Sequence, residues 1–547
     1  MQHAKPTLSD EFMPKLVTAL REGYRLTDLR ADAIAGLTVA IVALPLSMAI
    51  AIASGVGPER GLYTAIVGGF LVSLLSGSRY QVGGPAGAFI VLVSSCVMTT
   101  GVDGLILATF LSGFMLMAVG ALRLGTYIKF IPYPVTVGFT AGIAVIIFAS
   151  QMRDFFGLSL AGPEPSEILP KLEALWAARP SVTWAALCVA LATVALIQGL
   201  KRVRPHWPGM LIAVTLAAVA AAAGLGVETI GSRFGQLPRI LPAPALPVMT
   251  ADLLAQALPW AVSFALLGAI ESLLSAVVAD GMSGRRHRSN AELVGQGVAN
   301  IGSAIFGGFC VTGTIARTAT NVRAGSRGPV SGMLHAVFVL GFMMLAAPLA
   351  AFIPLAALAG VLAVVAWNMF EKEEFWSLIR ASRADAAVVL VTFLLVVFRD
   401  LTEGIIAGTA IGGAVFIRRM SEAARVEQGL TDSPETVENQ DSDVVVYHLR
   451  GAYFFGAAAT LGAVLDRIAE RPRAFVIDFS DVPFIDSTGA RSFDLLAHKM
   501  TRAGGKLVIA GASPEVRKML LTQGVREPHV AYRATVADAV QEYRAPA

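Results

Sequence analysis

Charged side chains are scarce in this chain. Asp, Glu, Lys and Arg make up 15% of its 547 residues, whereas soluble domains contain about 25%. Hydrophobic residues make up 55%. A soluble protein of this length could not bury so much apolar surface, so the composition predicts a polytopic membrane protein. It excludes a disordered, fibrous or disulfide-stapled protein.

Cysteine is also scarce, with Cys96, Cys188 and Cys310 as the complete set. Each lies in an apolar run, and their spacing is not that of metal ligands. We therefore expect buried small hydrophobic residues and no metal site. The net charge is only +4, and the basic residues cluster near the ends of apolar segments, where membrane topology explains them. No nucleic-acid partner is predicted.

Two motifs are missing from the sequence. There is no Gly-x-x-x-x-Gly-Lys-Ser/Thr loop, which argues against ATP-driven transport by this chain. The first 28 residues are polar to amphipathic and contain no short apolar core with a cleavage site. We therefore predict no signal peptide, so the first apolar segment stays in the mature protein.

Apolar segments follow one another from about Leu29 to Met420. A full membrane crossing needs about 20 residues in a helix, and the third and tenth segments are too short for one. An even number of spans with a cytoplasmic N-terminus places most Lys and Arg groups inside, which predicts a multi-pass protein of the inner (plasma) membrane with both termini cytoplasmic. The fourteen predicted spans are 31–53, 60–77, 85–99, 104–122, 131–151, 181–199, 208–225, 258–280, 291–306, 313–323, 329–347, 351–369, 384–398 and 400–418.

The composition changes abruptly after Met420. Acidic residues and a proline over 421–441 predict a solvated linker. Alternating apolar strands and helices then predict a small α/β domain with a mainly parallel sheet. The predicted domains are a cytoplasmic segment 1–30, a transmembrane domain 31–420, the linker 421–441 and the α/β domain 442–547. The predicted strands are 443–449, 474–479 and 506–510, and the predicted helices are 458–468, 489–503 and 514–523.

A weak internal repeat connects the two short spans. A Gly-Gly pair precedes a short apolar helix in 82–89 and again in 306–317. Two glycine-interrupted segments at matching positions are typical of transporters with inverted repeats. In such a fold two half-helices would bring their N-termini together near the middle of the membrane, and an anion could bind between them. The alternative is ordinary close packing of glycine-rich membrane helices. Small residues that would let a ligand approach are Gly83, Gly84, Ala86, Gly87 and Gly313.

Two charged residues lie inside apolar spans and are functional candidates for that reason. Arg317, on the second short helix, would supply positive charge for an anion or pair with an acid; the alternative is an arginine that reaches the cytoplasmic surface. Glu271 should be protonated, paired or ion-bound, and Ser275 lies one turn later on the same helix face. A carboxyl group with a hydroxyl suits a proton or sodium site, and the alternative is a structural hydrogen bond. Pro45 is expected to break the first span.

At these residues the sequence resembles the SulP family of sulfate-permease-type anion transporters, also called solute carrier family 26. The C-terminal region resembles the STAS domain of these proteins, whose Asp-Ser-Ser/Thr-Gly turn is similar to 485–489 here. The resemblance covers essentially the whole chain. The stretches that carry it in the membrane part are 35–49, 83–88, 269–276, 278–282 and 313–318.

The resemblance implies a helical membrane protein of fourteen spans in a seven-plus-seven inverted repeat. Spans 1–4 and 8–11 would form a mobile core and spans 5–7 and 12–14 a gate, in a homodimer that moves its substrate by an elevator-like shift. The acidic position of span 8 falls on Glu271. Sodium-coupled bicarbonate members have aspartate there, so glutamate favours protons. The anion would bind between the short spans at Ala86, Gly87, Ala88, Phe89, Thr312, Gly313, Thr314 and Ile315.

In STAS relatives the hydroxyl that follows the Asp of this turn can be phosphorylated, which makes Ser487 and Thr488 candidates. A plain helix cap by Ser487 explains the local sequence equally well. No cofactor is predicted beyond the coupling ion.

The resulting hypothesis is a proton-coupled secondary transporter, not an enzyme, for a small inorganic or organic anion of the sulfate, bicarbonate or C4-dicarboxylate class. A Na⁺/bicarbonate symporter is the nearest alternative. An anion channel and a membrane sensor whose STAS domain binds a cytoplasmic partner are alternatives of another class. Membrane lipid and a second copy of the chain are the other expected partners.

Overall fold

The computed structural model describes residues 11–544 apart from 129–130, 163, 166, 205–206, 400, 424, 429–443, 456–472 and 503. The chain forms two compact units, Met1–Thr409 and Ala410–Ala547. Each unit is described by itself below.

The first unit is helical, with one two-stranded ribbon of β1 Gly83–Gly84 and β2 Thr312–Gly313. Its helices in chain order are α1 Lys15–Arg21, α2 Leu26–Ala53, α3 Pro58–Tyr63, α4 Gly69–Leu75, α5 Ile90–Ala121, α6 Gly125–Ile128, α7 Tyr133–Phe156, α8 Ile168–Ala177, α9 Trp184–Val203, α10 Gly209–Ala222, α11 Ile230–Phe234, α12 Ala251–Ser283, α13 Ser289–Ile305, α14 Ile315–Arg323, α15 Val330–Ala350, α16 Leu355–Met369, α17 Lys372–Ala381 and α18 Arg383–Phe398. Helix α19, Leu401–Ala423, begins in this unit and ends beyond Thr409. A π-helical turn, Thr64–Gly68, joins α3 to α4, and 3₁₀ turns lie at Gly87–Phe89 and Arg179–Ser181.

Each of the fourteen predicted spans contains a helix. Eight helices in the described part of the chain are long and apolar enough to cross a membrane, and α10 is a shorter apolar helix. The short third span is confirmed, because Gly101 (φ 71°, ψ −174°) interrupts α5 soon after it begins. The short tenth span is also confirmed, since α14 has 9 residues. The expected break at Pro45 is wrong, because α2 continues through this residue.

The helices pack in two groups that match the expected core and gate. In the first group α5 packs against α12 and α13, and α2 packs against α15. In the second group α7 packs against α16 and α18, and α9 packs against α16. Glycine makes the closest approaches possible: a methyl group added at Gly36 of α2 would lie 2.5 Å from the carbonyl oxygen of Ser331 on α15. Small residues have this role wherever membrane helices pack without large side chains between them.

The second unit contains a sheet of five described strands in the order β3 Arg425–Gln428, β4 Val444–Arg450, β5 Ala474–Asp481, β6 Lys506–Ala510 and β7 Val530–Arg533. Strand β3 is antiparallel to β4, and the other neighbours are parallel. The helices of this unit that follow are α20 Ser487–Arg502, α21 Pro514–Thr522 and α22 Val536–Arg544.

The predicted strands and the helices at 489–503 and 514–523 are confirmed to within two residues. The predicted helix 458–468 lies outside the described residues. The sequence reading missed β7 and α22. It also assigned to the linker the end of α19 and strand β3, because their polar residues hide a short apolar periodicity. The expectation of buried cysteines is confirmed for Cys96 and Cys310 and wrong for Cys188, which is exposed on α9.

Candidate functional site

The first Gly-Gly pair of the internal repeat lies in a short ribbon with residues 312–313 of the second repeat segment, beyond that segment's own Gly-Gly pair. Gly83 lies opposite Gly313 and Gly84 opposite Thr312 in an antiparallel ribbon. The ribbon is extended by the N–H and hydroxyl of Thr314, which donate to the carbonyl of Val82 at 3.1 and 3.3 Å. The N–H of Val82 in turn donates to Thr318 Oγ1 at 3.2 Å. This ribbon is what brings the two short helices of the chain together.

Both short helices begin directly beside the ribbon. The first starts with the 3₁₀ turn Gly87–Phe89 and continues into α5, and the second starts at Ile315 after Thr314, whose backbone is extended. The first backbone N–H groups of a helix have no partner within the helix, and the N-terminus carries about half a positive charge. The ribbon therefore concentrates two partial positive charges in one small region, as the sequence analysis expected.

Only part of the predicted anion site faces open space. Gly87 and Ile315 are half-buried, and Ala316, which the sequence reading missed, is exposed. The other seven predicted residues, Arg317 among them, are buried; Phe89 packs on Phe264 of α12, with ring centroids 6.1 Å apart. Access for a ligand is thus confined to the outer faces of the two helix N-termini.

Most of the glycines of the ribbon are required for packing. A methyl group at Gly84 would lie 1.9 Å from Arg317 Nη1, and one at Gly313 would lie 1.7 Å from Gln81 Nε2. Gly87 is different, because a methyl group there would meet the tip of Ile147 on α7, at 2.9 Å. The alternative of close packing is therefore confirmed at Gly84 and Gly313, whereas Gly87 lies where the first helix group approaches α7 of the second.

Arg317 is buried, with 2% of its surface exposed. Its Nη2 donates to Ser47 Oγ at 3.0 Å and to the carbonyl of Pro85 at 3.3 Å. Its Nε and Nη1 are buried and have no hydrogen-bond partner among the described residues. The alternative of an arginine that reaches the surface is therefore wrong. A buried guanidinium with free N–H groups, in the first turn of α14, can bind an anion.

Glu271 is 8% exposed on α12, and its Oε2 is buried without a hydrogen-bond partner among the described residues. Ser275, one turn later, donates its hydroxyl to Thr318 Oγ1 of α14 at 3.0 Å. The two residues lie on the helix that packs against β2 and α14. The alternative of a structural hydrogen bond between helices is therefore confirmed for Ser275, while one oxygen of the Glu271 carboxyl group has no partner among the described residues.

A cavity of about 600 Å³ lies between α7 and α12. Tyr133 and Thr136 contribute one wall, and Ile270 lines it next to Glu271 in the sequence. The loop that follows α12 supplies Arg285 and Arg286 at the other end. The cavity thus follows α12 as far as Ile270, the neighbour of Glu271 in the sequence.

The sequence reading missed Ser47 and Thr318 as partners of the site. Both lie in the stretches that carried the family resemblance, 35–49 and 313–318. Nothing local in the sequence shows that these hydroxyls meet Arg317 and Ser275, because the contacts cross between helices far apart in the chain.

Comparison with known proteins agrees with this architecture. The model of the sulfate permease family matches residues 29–392, and that of the STAS domain matches residues 434–539. The chain belongs to the sulfate permease family. This family consists of membrane transporters of anions and not of enzymes.

Relatives of the permease chain match along nearly their whole length. The putative sulfate transporter YvdB of Bacillus subtilis is 40% identical over 507 residues, which cover 92% of this chain and 95% of the relative. The bicarbonate transporter BicA of Synechocystis is 30% identical over 517 residues, 90% of each chain. The murine Slc26a9 anion transporter, solved in the inward-facing state, has the same fold, with a TM-score of 0.85 at 18% identity over 100% of this chain and 96% of that one. The transmembrane domain of a cyanobacterial BicA has a TM-score of 0.62 at 32% identity and covers 70% of this chain and 98% of that one.

The turn that opens α20 in the STAS domain is capped by Asp486. Its Oδ1 accepts from the N–H of Gly489 at 2.7 Å, and its Oδ2 accepts from the N–H of Phe455 at 3.1 Å. The alternative that Ser487 caps this helix is therefore wrong. Ser487 and Thr488 are both exposed, so their hydroxyls are accessible at a helix N-terminus.

Proposed function

We propose that this permease is a secondary active transporter of a small anion and that protons drive it. The observation that carries the proposal is the ribbon of Gly83–Gly84 and Thr312–Gly313, with two helix N-termini and the free N–H groups of Arg317 beside it. Such a site binds an anion through backbone and guanidinium donors without a cofactor. The anion would contact Gly87, Ile315 and Arg317. The other predicted residues are buried and would pack behind these three.

Glu271 is the proposed proton carrier. A buried carboxyl group that lacks a hydrogen-bond partner is more stable neutral than ionised, so it should take up a proton when the site closes. A proton and an anion that enter together would cancel much of each other's charge in the membrane. Sodium in place of the proton is the competing assignment, and Ser275 would then have to leave Thr318 to serve as a ligand.

The substrate is proposed from the sulfate, bicarbonate and C4-dicarboxylate class. Two similar proteins are a putative sulfate transporter and a bicarbonate transporter. The elevator-like step would move the first helix group, which holds the ribbon, against the second. Gly87 and Ile147 form one contact between the two groups.

The remaining proposals concern the setting of the protein. We place domains 31–420 and 442–547 in and beside the inner membrane, with both termini cytoplasmic, on the distribution of Lys and Arg along the sequence. A homodimer is proposed from the family. Phosphorylation at Ser487 or Thr488 would put negative charge at the N-terminus of α20, where it is stabilised.

Purified protein in proteoliposomes tests the function. Uptake of radiolabelled sulfate, bicarbonate and succinate should be measured with and without an imposed pH gradient, in sodium-free buffer. We expect one anion to accumulate when the inside is alkaline. Accumulation that requires sodium would replace the proton by Na⁺. Flux far faster than a transport cycle would indicate a channel, and no flux with any anion would contradict transport altogether.

A further inference from the structure

A second buried carboxylate lies next to the proposed anion site. Glu292, on the first turn of α13, is 0% exposed. It makes no ion pair in the described part of the chain. A buried charge without a counter-ion is costly unless hydrogen bonds and a helix N-terminus replace the lost water. The sequence analysis did not single out this residue.

Five neutral donors surround the carboxylate. Its Oε1 accepts from Gln81 Nε2 at 2.8 Å, from Ser272 Oγ at 2.9 Å and from Gln296 Nε2 at 3.2 Å. Its Oε2 accepts from the N–H of Ser78 at 3.1 Å and from the hydroxyl of Ser76. Five donors converge on about four lone-pair sites, so this side chain serves its neighbours as an acceptor and has no acceptor of its own for a proton to meet.

Two of these donors connect Glu292 to the proposed site. Gln81 directly precedes the ribbon, and its amide packs beneath Gly313, where a methyl group would come within 1.7 Å of Nε2. The same amide donates to the carbonyl of Ser272 at 3.1 Å. Ser272 follows Glu271 on α12. One carboxylate therefore fixes both the strand that carries the ribbon and the helical turn that presents the proposed proton carrier.

The segment 306–311, which precedes β2, matches the segment that precedes β1 but is held by different contacts. Asn300 bonds both backbone groups of Val311, at 2.8 and 3.1 Å, and Ser303 Oγ donates to the carbonyl of Phe309 at 2.8 Å. The N–H of Phe309 donates to Thr64 Oγ1 at 2.9 Å. These anchors are neutral. A charge is thus not needed merely to pin a loop of this shape, and its presence at Glu292 calls for a separate reason.

We propose that Glu292 is a positioning residue for anion binding, and that its ionised carboxylate holds Gln81 and Ser272 so that the ribbon and Glu271 stay in register. The inference rests on the proposed function, since it assigns the residue to the same site. Glu292 itself does not touch the anion. Its action passes through the amide of Gln81 to Gly313 and through Ser272 to the turn of Glu271.

The test uses anion uptake by the full-length protein in proteoliposomes, with KM and Vmax measured separately. Glu292→Gln keeps the shape but points an N–H group at existing donors, and we expect KM to rise about tenfold or more with a smaller change in Vmax. Gln81→Glu should raise KM to a similar extent, because the carboxylates of residues 81 and 292 would then face each other. The exchanged pair Gln81→Glu with Glu292→Gln restores one acceptor opposite one donor and should recover most of the loss. Ser303→Ala, on the same helix, is the matched control and should leave KM near the wild-type value.

Hydrogen–deuterium exchange gives a readout that is independent of transport. Glu292→Gln should accelerate exchange over 76–84 and leave 306–310, ahead of the ribbon, unchanged, whereas Ser303→Ala should do the reverse. A wild-type KM in Glu292→Gln, or purely additive losses in the exchanged pair, would overturn the proposal. If Glu292→Gln does not purify folded, Gln81→Met tests the same contact, and a wild-type KM there would overturn it as well.

Failure of this inference can be told from failure of the proposed function by Arg317→Met. If Arg317→Met abolishes anion binding while Glu292→Gln binds normally, only the positioning role is wrong. If Arg317→Met also binds the anion normally, the anion site lies elsewhere. The proposed site and the positioning role of Glu292 are then both wrong.

Discussion

Two buried side chains of opposite charge, Arg317 and Glu271, retain unsatisfied polar atoms in the first unit. Each such atom costs about 1–3 kcal/mol when buried without a partner. They form no ion pair with each other in the described part of the chain. The proposed function depends on this separation, because a direct salt bridge would satisfy both groups and leave neither free for its proposed ligand.

Glu271→Gln should separate binding from coupling. The amide mimics the protonated carboxyl in size and charge, so anion exchange should persist, while accumulation driven by a pH gradient should be lost. The measurement is labelled-anion uptake in proteoliposomes under an imposed pH gradient alone. Asp252→Asn, an exposed acid at the start of the same helix, should accumulate normally. Concentrative uptake by Glu271→Gln would mean that another group carries the proton.

Arg317→Met should raise KM for the anion by at least about tenfold, which corresponds to about 1.4 kcal/mol. Charge-assisted hydrogen bonds contribute about this much or more. Arg317→Lys keeps the charge but loses the donors to Ser47 and Pro85. Its KM should therefore lie between those of the wild type and of Arg317→Met. Arg323→Met removes an exposed arginine of the same helix and serves as the control. Equal affinities for the Met variants at 317 and 323 would remove Arg317 from the site.

At the scale of elements, the break in α5 decides where the first short helix ends. Gly101 has φ 71° and ψ −174°, and nothing lies within 4 Å of the position of an added methyl group. Gly101→Ala should therefore destabilise the fold through backbone strain alone, by about 1–3 kcal/mol. Thermal unfolding in detergent measures the effect. Gly281→Ala, in a helix with equal free space, should be neutral or slightly stabilising, and equal behaviour of the two variants would contradict a strained break.

The contact of Gly87 with α7 tests movement between the two helix groups. Gly87→Ala places a methyl group 2.9 Å from Ile147 Cδ1, so we expect slower transport; since Gly87 also lies at the proposed anion site, binding is measured separately from rate. Gly87→Ala combined with Ile147→Val shortens the opposing side chain and should restore much of the rate. Binding is measured by calorimetry and rate by uptake. An equal loss in the single and double variants would show that the contact does not limit transport.

At the scale of the whole molecule, the five described strands of the STAS domain pair only with one another. The domain therefore has a sheet and a core of its own, and the membrane unit has its own hydrophobic core. We expect a chain that ends after Ala423 to bind the anion with unchanged affinity, measured by calorimetry on folded, monodisperse protein. Loss of binding from such a protein would assign the STAS domain a direct part in the site.

The sequence by itself determined the fold class, the short third and tenth spans and most elements of the STAS domain. These follow from the length of apolar runs, from period-two and helical patterns and from glycine positions, all of which are local. The resemblance to sulfate permeases was likewise carried by short contiguous stretches, and the family match confirms it. Pro45 shows the limit of such reasoning, because packing of α2 against α15 keeps the helix continuous where local propensity predicts a break.

Only the tertiary structure decided which polar groups meet. Arg317 bonds Ser47, 270 residues earlier in the chain, and Ser275 bonds Thr318 on another helix. The helix cap at Asp486 and the five donors around Glu292 were equally hidden. Hydrogen bonds act over about 3 Å and depend on direction, so a sequence can supply donors and acceptors but not the backbone approach that joins them. At the candidate anion site that approach is set by the pairing of Gly83 with Gly313.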